Sequence, residues 1–270
     1  MEEQTEAKKS QFYICAIVKD EHAYVREWAL HNKSIGFDKI VLYDNNSSKP
    51  YDAELGDLMQ HGFVEIRTWN KDSDTRQIDA YNDFVQSENW SETDYCAFID
   101  PDEFIFFDKV KTVSEFIALY PDCAGVGLSW KMYNANGRIE PQKGIPMPEA
   151  YVTEFEYPEP RIKPLARLRY IDYFTSPHMF IPSNGLLITT NNEPILEKSP
   201  KYKDYTNGHI KHYLTKSWQD WIKRLKRGNV TKGIRTVDLF FVFNPNMEHL
   251  RYDLIKDLDF DDFPTIYSDK

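Results

Sequence analysis

A chain of 270 residues leaves room for one large α/β domain or two small ones. Apolar residues make up 41% and charged residues 28%, with 11 Gly and 15 Pro, which excludes collagen-like, low-complexity and wholly disordered chains. The 33 Lys and Arg against 43 Asp and Glu give a net charge of −10, which repels a phosphate backbone and argues against general nucleic-acid binding. The longest uninterrupted aliphatic and aromatic run, Leu239 to Phe243, is far short of the roughly 20 residues of a membrane-spanning helix. The opening MEEQTEAKKSQ has no apolar core, so no secretory leader is expected and the predicted location is cytoplasmic. Cys15, Cys96 and Cys123 lie far apart with no C-x-x-C spacing, which points to reduced, buried thiols.

In chain order, Phe12 to Val18 reads as a strand, and Tyr24, Val25, Trp28, Ala29 and Ile35 recur at helical spacing before Gly36. Ile40 to Tyr43 reads as a second strand, Asp52 to Gln60 as a short helix and Phe63 to Trp69 as a third strand. A helix capped by Asp74 or Thr75 carries Ile78, Tyr81 and Val85 on one face and leads to the strand Tyr95 to Ile99. Four strands alternating with three helices predict parallel βαβ units, whose ligands bind beyond the carboxyl ends of the strands. Thr112 with Glu115 predicts a capping box, and Gly125 to Trp130 a further strand. Pro141 to Pro164 is expected to be a long loop. Ala166 to Tyr173, His178 to Pro182 and Gly185 to Thr190 look strand-like, and Lys216 to Arg227 forms an amphipathic helix with Trp218, Trp221, Ile222 and Leu225 on one side.

The strand ends carry Lys19, Asp20 and Glu21, then Asp44, Asn45 and Asn46, then Asp100, Asp102 and Glu103. Of four Asp-x-Asp patterns, only Asp100/Asp102 lies between two apolar runs, YCAFI and FIFF, where adjacent carboxylates need a cation between them. Read as an extended segment, it aims both carboxylates at one magnesium or manganese ion that shares its shell with a diphosphate. Solvated or helix-capping aspartates are the alternative.

Glu21, Val25, Glu27-Trp28, His31, Gly36 and Tyr43-Asp44-Asn45, followed by Gln77, Ala80-Tyr81-Asn82, Trp90 and Asp100-Pro101-Asp102-Glu103-Phe104, resemble glycosyltransferase family 92 and related family 2 enzymes. Trp130 with Gly137, His178, His212-Tyr213, Lys216-Ser217 and Arg227-Gly228 continue the resemblance to about residue 230, with departures at Pro101 and at Met132-Tyr133-Asn134. The resemblance implies a GT-A fold, a Rossmann-like, mostly parallel sheet flanked by helices with a smaller acceptor-side region. It also implies a nucleotide-sugar donor, a divalent metal and inversion at the anomeric carbon. It places Asp44 at the base or ribose, the Lys19, Asp20 and Glu21 turn and Gln77 in the same pocket, and His212, by analogy, near the metal with Asp100 and Asp102.

Transfer with inversion needs a general base, for which Glu103 and His178 are the candidates. Trp130, Tyr133 and His178 are candidates for contact with sugar, because sugar rings stack on aromatic faces, although most of the aromatic residues are expected in the core. Lys216 opens a basic stretch with Lys223, Arg224, Lys226, Arg227, Lys232 and Arg235, whose readings are a solvated face, diphosphate binding at Lys216, or peripheral contact with an anionic membrane. The expected organisation is a disordered tail at 1–11, a GT-A domain at 12–235 divided near 108 into donor and acceptor halves, and an extension at 236–270. The function so read is Mn2+- or Mg2+-dependent transfer of a hexose, from UDP or another nucleotide, to a glycan or lipid-linked saccharide in cell-surface polysaccharide synthesis. A non-catalytic carbohydrate-binding protein and a magnesium-dependent phosphatase are the alternatives.

Overall fold

The computed structural model describes residues 10–142, 144–157, 161–196, 201–228, 235–260 and 263. Most of the expected tail and Lys232 lie outside the described residues. The elements in chain order are β1 (Phe12–Val18), α1 (Val25–Ser34), β2 (Lys39–Asp44), α2 (Asp52–Gln60), β3 (Val64–Thr68), α3 (Arg76–Gln86), β4 (Tyr95–Phe98), β5 (Glu103–Phe107), α4 (Val113–Ile117) and β6 (Gly125–Tyr133). There follow α5 (Met147–Ala150), β7 (Glu154–Phe155), β8 (Ile162–Arg167), β9 (Ile171–Ser176), β10 (Met179–Pro182), β11 (Leu187–Thr189), β12 (Gly208–His212), α6 (Trp218–Arg227), α7 (Val237–Phe243) and α8 (Arg251–Ile255). No described helix is long and apolar enough to cross a membrane.

The fold is mixed α/β. Its main sheet runs β3-β2-β1-β4-β8-β6-β12-β5, with β7 and β11 also pairing β6, and β9 and β10 form a separate hairpin. β1 pairs in parallel with β2 and β4, and β2 with β3, as the alternation of strands and helices requires. The chain moves outward from β1 to β2 and β3, then returns to place β4 on the other side of β1. That reversal opens a crevice between the carboxyl ends of β1 and β4, the place where open α/β sheets bind ligands. All seven residues of β1 are buried, so its side chains fill both faces of the sheet.

The chain divides into two compact units. One holds residues 1–71, 77–130 and 159–210; the other holds 72–76, 131–158 and 211–270. In the first, Trp28 of α1 is wholly buried, and its indole N–H donates to the Glu103 carbonyl at 2.8 Å. Thr112 and Glu115 make the expected capping box at the start of α4. In the second, Ser217 and Asp220 form another at the start of α6, and Trp218 meets Phe240 of α7 edge to face at 5.0 Å. Asn244, wholly buried, accepts the Ala135 N–H at 2.6 Å, so residues beyond 236 are built into this unit's core.

The structure departs from the sequence reading around Pro164. Residues 141–164 are not one loop: α5 and β7 fall inside it, and β8 begins at Ile162. β8 lies between β4 and β6, antiparallel to both. A proline argues against a central strand because it has no N–H for the ladder. Pro164 is tolerated because pairing with β4 covers only Leu165, Ala166 and Arg167, so the proline lies beyond the end of that ladder. The expected strand at 166–173 is likewise split by a 3-10 turn over Leu168–Tyr170.

β8 approaches β6 closely at Gly125, which faces Ala166. A Cβ there would lie 2.8 Å from the Ala166 Cβ and 2.9 Å from the Leu165 carbonyl oxygen, atoms that cannot move without the backbone. Gly125→Ala should therefore destabilise the protein by about 1–3 kcal/mol, read as a lower urea midpoint; an unchanged midpoint would contradict this packing of β8.

Candidate active site at the end of β4

Asp100 and Asp102 follow β4, but not in an extended segment. Residues 100–103 turn: the Glu103 N–H donates to the Asp100 carbonyl at 3.0 Å, and the Asp100 N–H donates to the Glu103 carboxyl Oε2 at 2.8 Å. The turn closes on itself through one backbone bond and one side chain. Pro101, with φ fixed by its ring, suits the second position of such a turn. The same-side geometry read from the i, i+2 spacing therefore does not apply, and the two carboxylates have different surroundings.

Asp100 is held from both sides. The Gln77 amide of α3 donates to Oδ1 at 2.7 Å, and the Lys163 ammonium of β8 donates to Oδ2 at 3.0 Å. Gln77 also donates to the Tyr81 hydroxyl at 3.0 Å. Lys163 lies 3.6 Å from Glu103 Oε2 as well, with its side chain 1% exposed and that of Glu103 0%. Burial alone would lower the Lys163 pKa, but the Asp100 and Glu103 carboxyls outweigh it and hold the amine above its ordinary range, so it is charged. Burial pushes Glu103 well above the usual carboxylate range despite Lys163, with Asp100 and Asp102 adding to the rise. The cluster thus sets a buried ammonium beside two carboxyl groups. Asp102 is 2% exposed.

The cation that the apolar surroundings demanded is thus Lys163. The sequence reading missed it because residue 163 fell within the supposed loop; the apolar pattern I-K-P-L-A around it was the available signal. Among the described residues, no group of three or more His, Cys, Asp or Glu gathers around one point. A magnesium or manganese ion needs few protein ligands, since water and phosphate oxygens complete its shell. Asp102, a hard oxygen donor, fits such an ion. Asp100, a second hard donor, already accepts a hydrogen bond at each oxygen, one of them from an ammonium.

The other residues singled out in the first unit sort into two places. At the ends of β1 and β2, Asp20 takes a left-handed backbone (φ 51°) and its Oδ1 accepts the Ser48 N–H at 2.7 Å and the Ser48 hydroxyl at 2.6 Å. Asp44 Oδ1 accepts the Ser47 N–H at 3.1 Å, and the backbone N–H of the buried Glu21 donates to the Tyr51 hydroxyl at 3.2 Å. Lys19 is half-buried in the same turn. These contacts show how the loops are held. At the start of β8, the His178 Nδ1 donates to the Ile162 carbonyl at 2.8 Å, and the Trp130 ring meets His178 edge to face at 5.2 Å. A proton committed to Nδ1 makes Nε2 the basic atom of the ring. Glu103, fully buried and spent on the turn, is poorly placed to take a proton from an acceptor hydroxyl.

Tyr133, His212 and Lys216 belong to the second unit. The Tyr133 hydroxyl donates to Glu154 at 2.7 Å, and its ring lies 5.3 Å from Tyr213. His212 is a buried strand residue at the end of β12, and Lys216 is buried with φ 52°, immediately before the α6 cap. On α6, Lys223 and Lys226 are exposed and Arg224, Arg227 and Ile222 half-buried, while Trp218, Trp221 and Leu225 are buried.

Residues 10–239 match the model of glycosyltransferase family 92. A glycosyltransferase family 92 protein of Oryza sativa subsp. japonica is 24% identical over 221 residues, which cover 78% of this chain and 34% of the relative, so the chain spans about a third of that protein's length. Among solved structures, S. aureus TarS overlaps 49% of this chain and 23% of its own at 18% identity and a TM-score of 0.36. Glucosyl-3-phosphoglycerate synthase from Mycobacterium tuberculosis, in complex with Mn2+, UDP and glucosyl-3-phosphoglycerate, overlaps 48% of this chain and 46% of its own at 12% identity and a TM-score of 0.28. The family match over most of the chain defines a glycosyltransferase domain, here of mixed α/β fold. The chain belongs to glycosyltransferase family 92.

The indole of Trp28 anchors the turn at the Glu103 carbonyl. Trp28→Phe, which leaves that buried carbonyl without its donor, should cost about 1–3 kcal/mol in denaturant unfolding; a loss under about 0.3 kcal/mol would show that the bond does not hold the turn.

Proposed function

We propose that this domain transfers a hexose from a nucleotide sugar, with UDP as the nucleotide, onto a hydroxyl of a glycan or lipid-linked saccharide with inversion. The observation that carries this reading is the acidic turn at residues 100–103, held at the carboxyl end of β4 beside the crevice where the strand order reverses. Family membership supports the reaction class. The position of the pair after the fourth strand disfavours a phosphatase whose nucleophile follows the first.

The loops after β1 and β2, with Lys19, Asp20, Glu21 and Asp44, line the nucleotide side of that crevice, and Asp44 is assigned to the base or ribose. A divalent ion on Asp102 would neutralise the charge that develops on the departing diphosphate, an electrostatic contribution that needs no proton transfer. His178 is the general base: the Ile162 carbonyl fixes its tautomer and orientation, and Nε2 takes the proton of the acceptor hydroxyl. Trp130, packed against His178, offers its ring to the apolar face of a sugar. Glu103 and Gln77 position the turn. Tyr133, His212 and Lys216 belong to the second unit and are not used in this reading. The exposed Lys223 and Lys226 of α6 suit peripheral contact with an anionic membrane.

Incubation with UDP-glucose or UDP-galactose and Mn2+ should release UDP. His178→Ala should lower that rate by about 10²–10⁴-fold and leave UDP binding within about twofold by calorimetry. UDP binding without release from any nucleotide hexose would favour a binding protein, and phosphate release from a simple phosphomonoester would favour a phosphatase.

A further inference from the structure

Asn82, the last residue of the Ala80-Tyr81-Asn82 run in α3, reaches across the fold to a second sheet. Its Oδ1 accepts the backbone N–H of Phe174 in β9 at 2.7 Å, 92 residues further along the chain. β9 and β10 form a two-stranded sheet of their own, and the residues that join them are Pro177 and His178. A lone hairpin of two strands is marginal in water, so its place depends on what it packs against. The buried Phe174 ring meets Phe98 of β4 at 4.4 Å and Tyr81 of α3 at 5.1 Å. Such packing is non-directional: it holds the hairpin down without fixing its position along the surface. The bond from Phe174 to Asn82 is directional and supplies that position.

We propose that Asn82 is a positioning residue for His178: by fixing β9 at Phe174 it sets the hairpin turn so that the imidazole Nδ1 meets the Ile162 carbonyl. This rests on reading His178 as the proton acceptor. The lever is short, because Phe174 precedes His178 by four residues and the turn is stiffened by the His178 N–H, which donates to Ser176 Oγ at 3.2 Å. One helix thereby serves both parts of the site. Gln77 of α3 holds Asp100, and Asn82 holds the hairpin of the base. The two lie about 7.5 Å apart along the helix axis. A shift of about 1 Å at a reacting group can cost about 100-fold in rate, so loss of this hold is expected to reach the proton transfer without touching the nucleotide loops.

The test compares the parent with Asn82→Leu, Asn82→Asp and His178→Ala. Long-range 1H–15N correlation of the imidazoles, at a pH where the ring is neutral, reports which nitrogen carries the proton, and His178→Ala identifies the signal. The parent should show His178 with its proton on Nδ1. In Asn82→Leu the two nitrogen shifts of His178 should move toward each other as the tautomers mix. Asn82→Asp keeps an acceptor oxygen for the Phe174 N–H and should resemble the parent. With a UDP-hexose, Asn82→Leu should lower kcat at least about tenfold with KM within about twofold, and Asn82→Asp should recover kcat to within about threefold. An unchanged His178 signal in Asn82→Leu would overturn the proposal, as would a loss in Asn82→Asp equal to that in Asn82→Leu, or a parent signal already averaged between tautomers. If Asn82→Leu does not fold, Asn82→Ala carries the comparison. If the parent releases no UDP, the transferase reading fails, and the imidazole signals still decide whether Asn82 positions His178.

Discussion

The buried ammonium of Lys163 against Asp100 and Glu103 is the constraint on which the candidate site depends. Taking a charge out of water costs several kcal/mol, and the cluster recovers this only by satisfying Asp100 at both oxygens, through Lys163 and Gln77. Removing one partner of such a pair costs about 3–5 kcal/mol when fully buried, and less for Asp100, whose side chain is 30% exposed. α3 and β8, both distant in sequence from the turn, are thereby fixed together with β5 to the end of β4.

The sheet explains why this cluster lies where a ligand can use it. Parallel pairing of β1 with both β2 and β4 creates the reversal in strand order, and the two loops after β1 and β2 lock to each other through Asp20 and Ser48. The acidic turn closes the β4 side of the same crevice. His178 attaches at the Ile162 carbonyl, one residue before Lys163, and the Trp130 backbone N–H donates to the carbonyl of Arg161, just before β8, at 2.9 Å. The proposed base and the ammonium that holds Asp100 thus share one strand as their frame.

Much of this was legible in the sequence because the signals were local. The bounds of β1 and α2 and the box at Thr112 and Glu115 follow from burial period and capping chemistry over a few residues. The site was legible to the extent that Asp100, Asp102 and Gln77 are named by pattern and resemblance, and that crowded acids in apolar surroundings demand a cation. What failed to show was non-local. The identity of that cation depends on β8 entering between β4 and β6, and Pro164 hides that strand from any reading based on ladder hydrogen bonding. The turn at 100–103 is set by the Glu103 side chain reaching back to the Asp100 N–H, which spacing alone does not reveal.

The proposed function turns on the crevice beside β1 and β4 being the donor site, with the turn at 100–103 at its edge. A crystal structure with UDP and Mn2+ tests it most directly. UDP is expected in that crevice with its diphosphate at the 100–103 turn. UDP bound elsewhere, with the crevice empty, would contradict it.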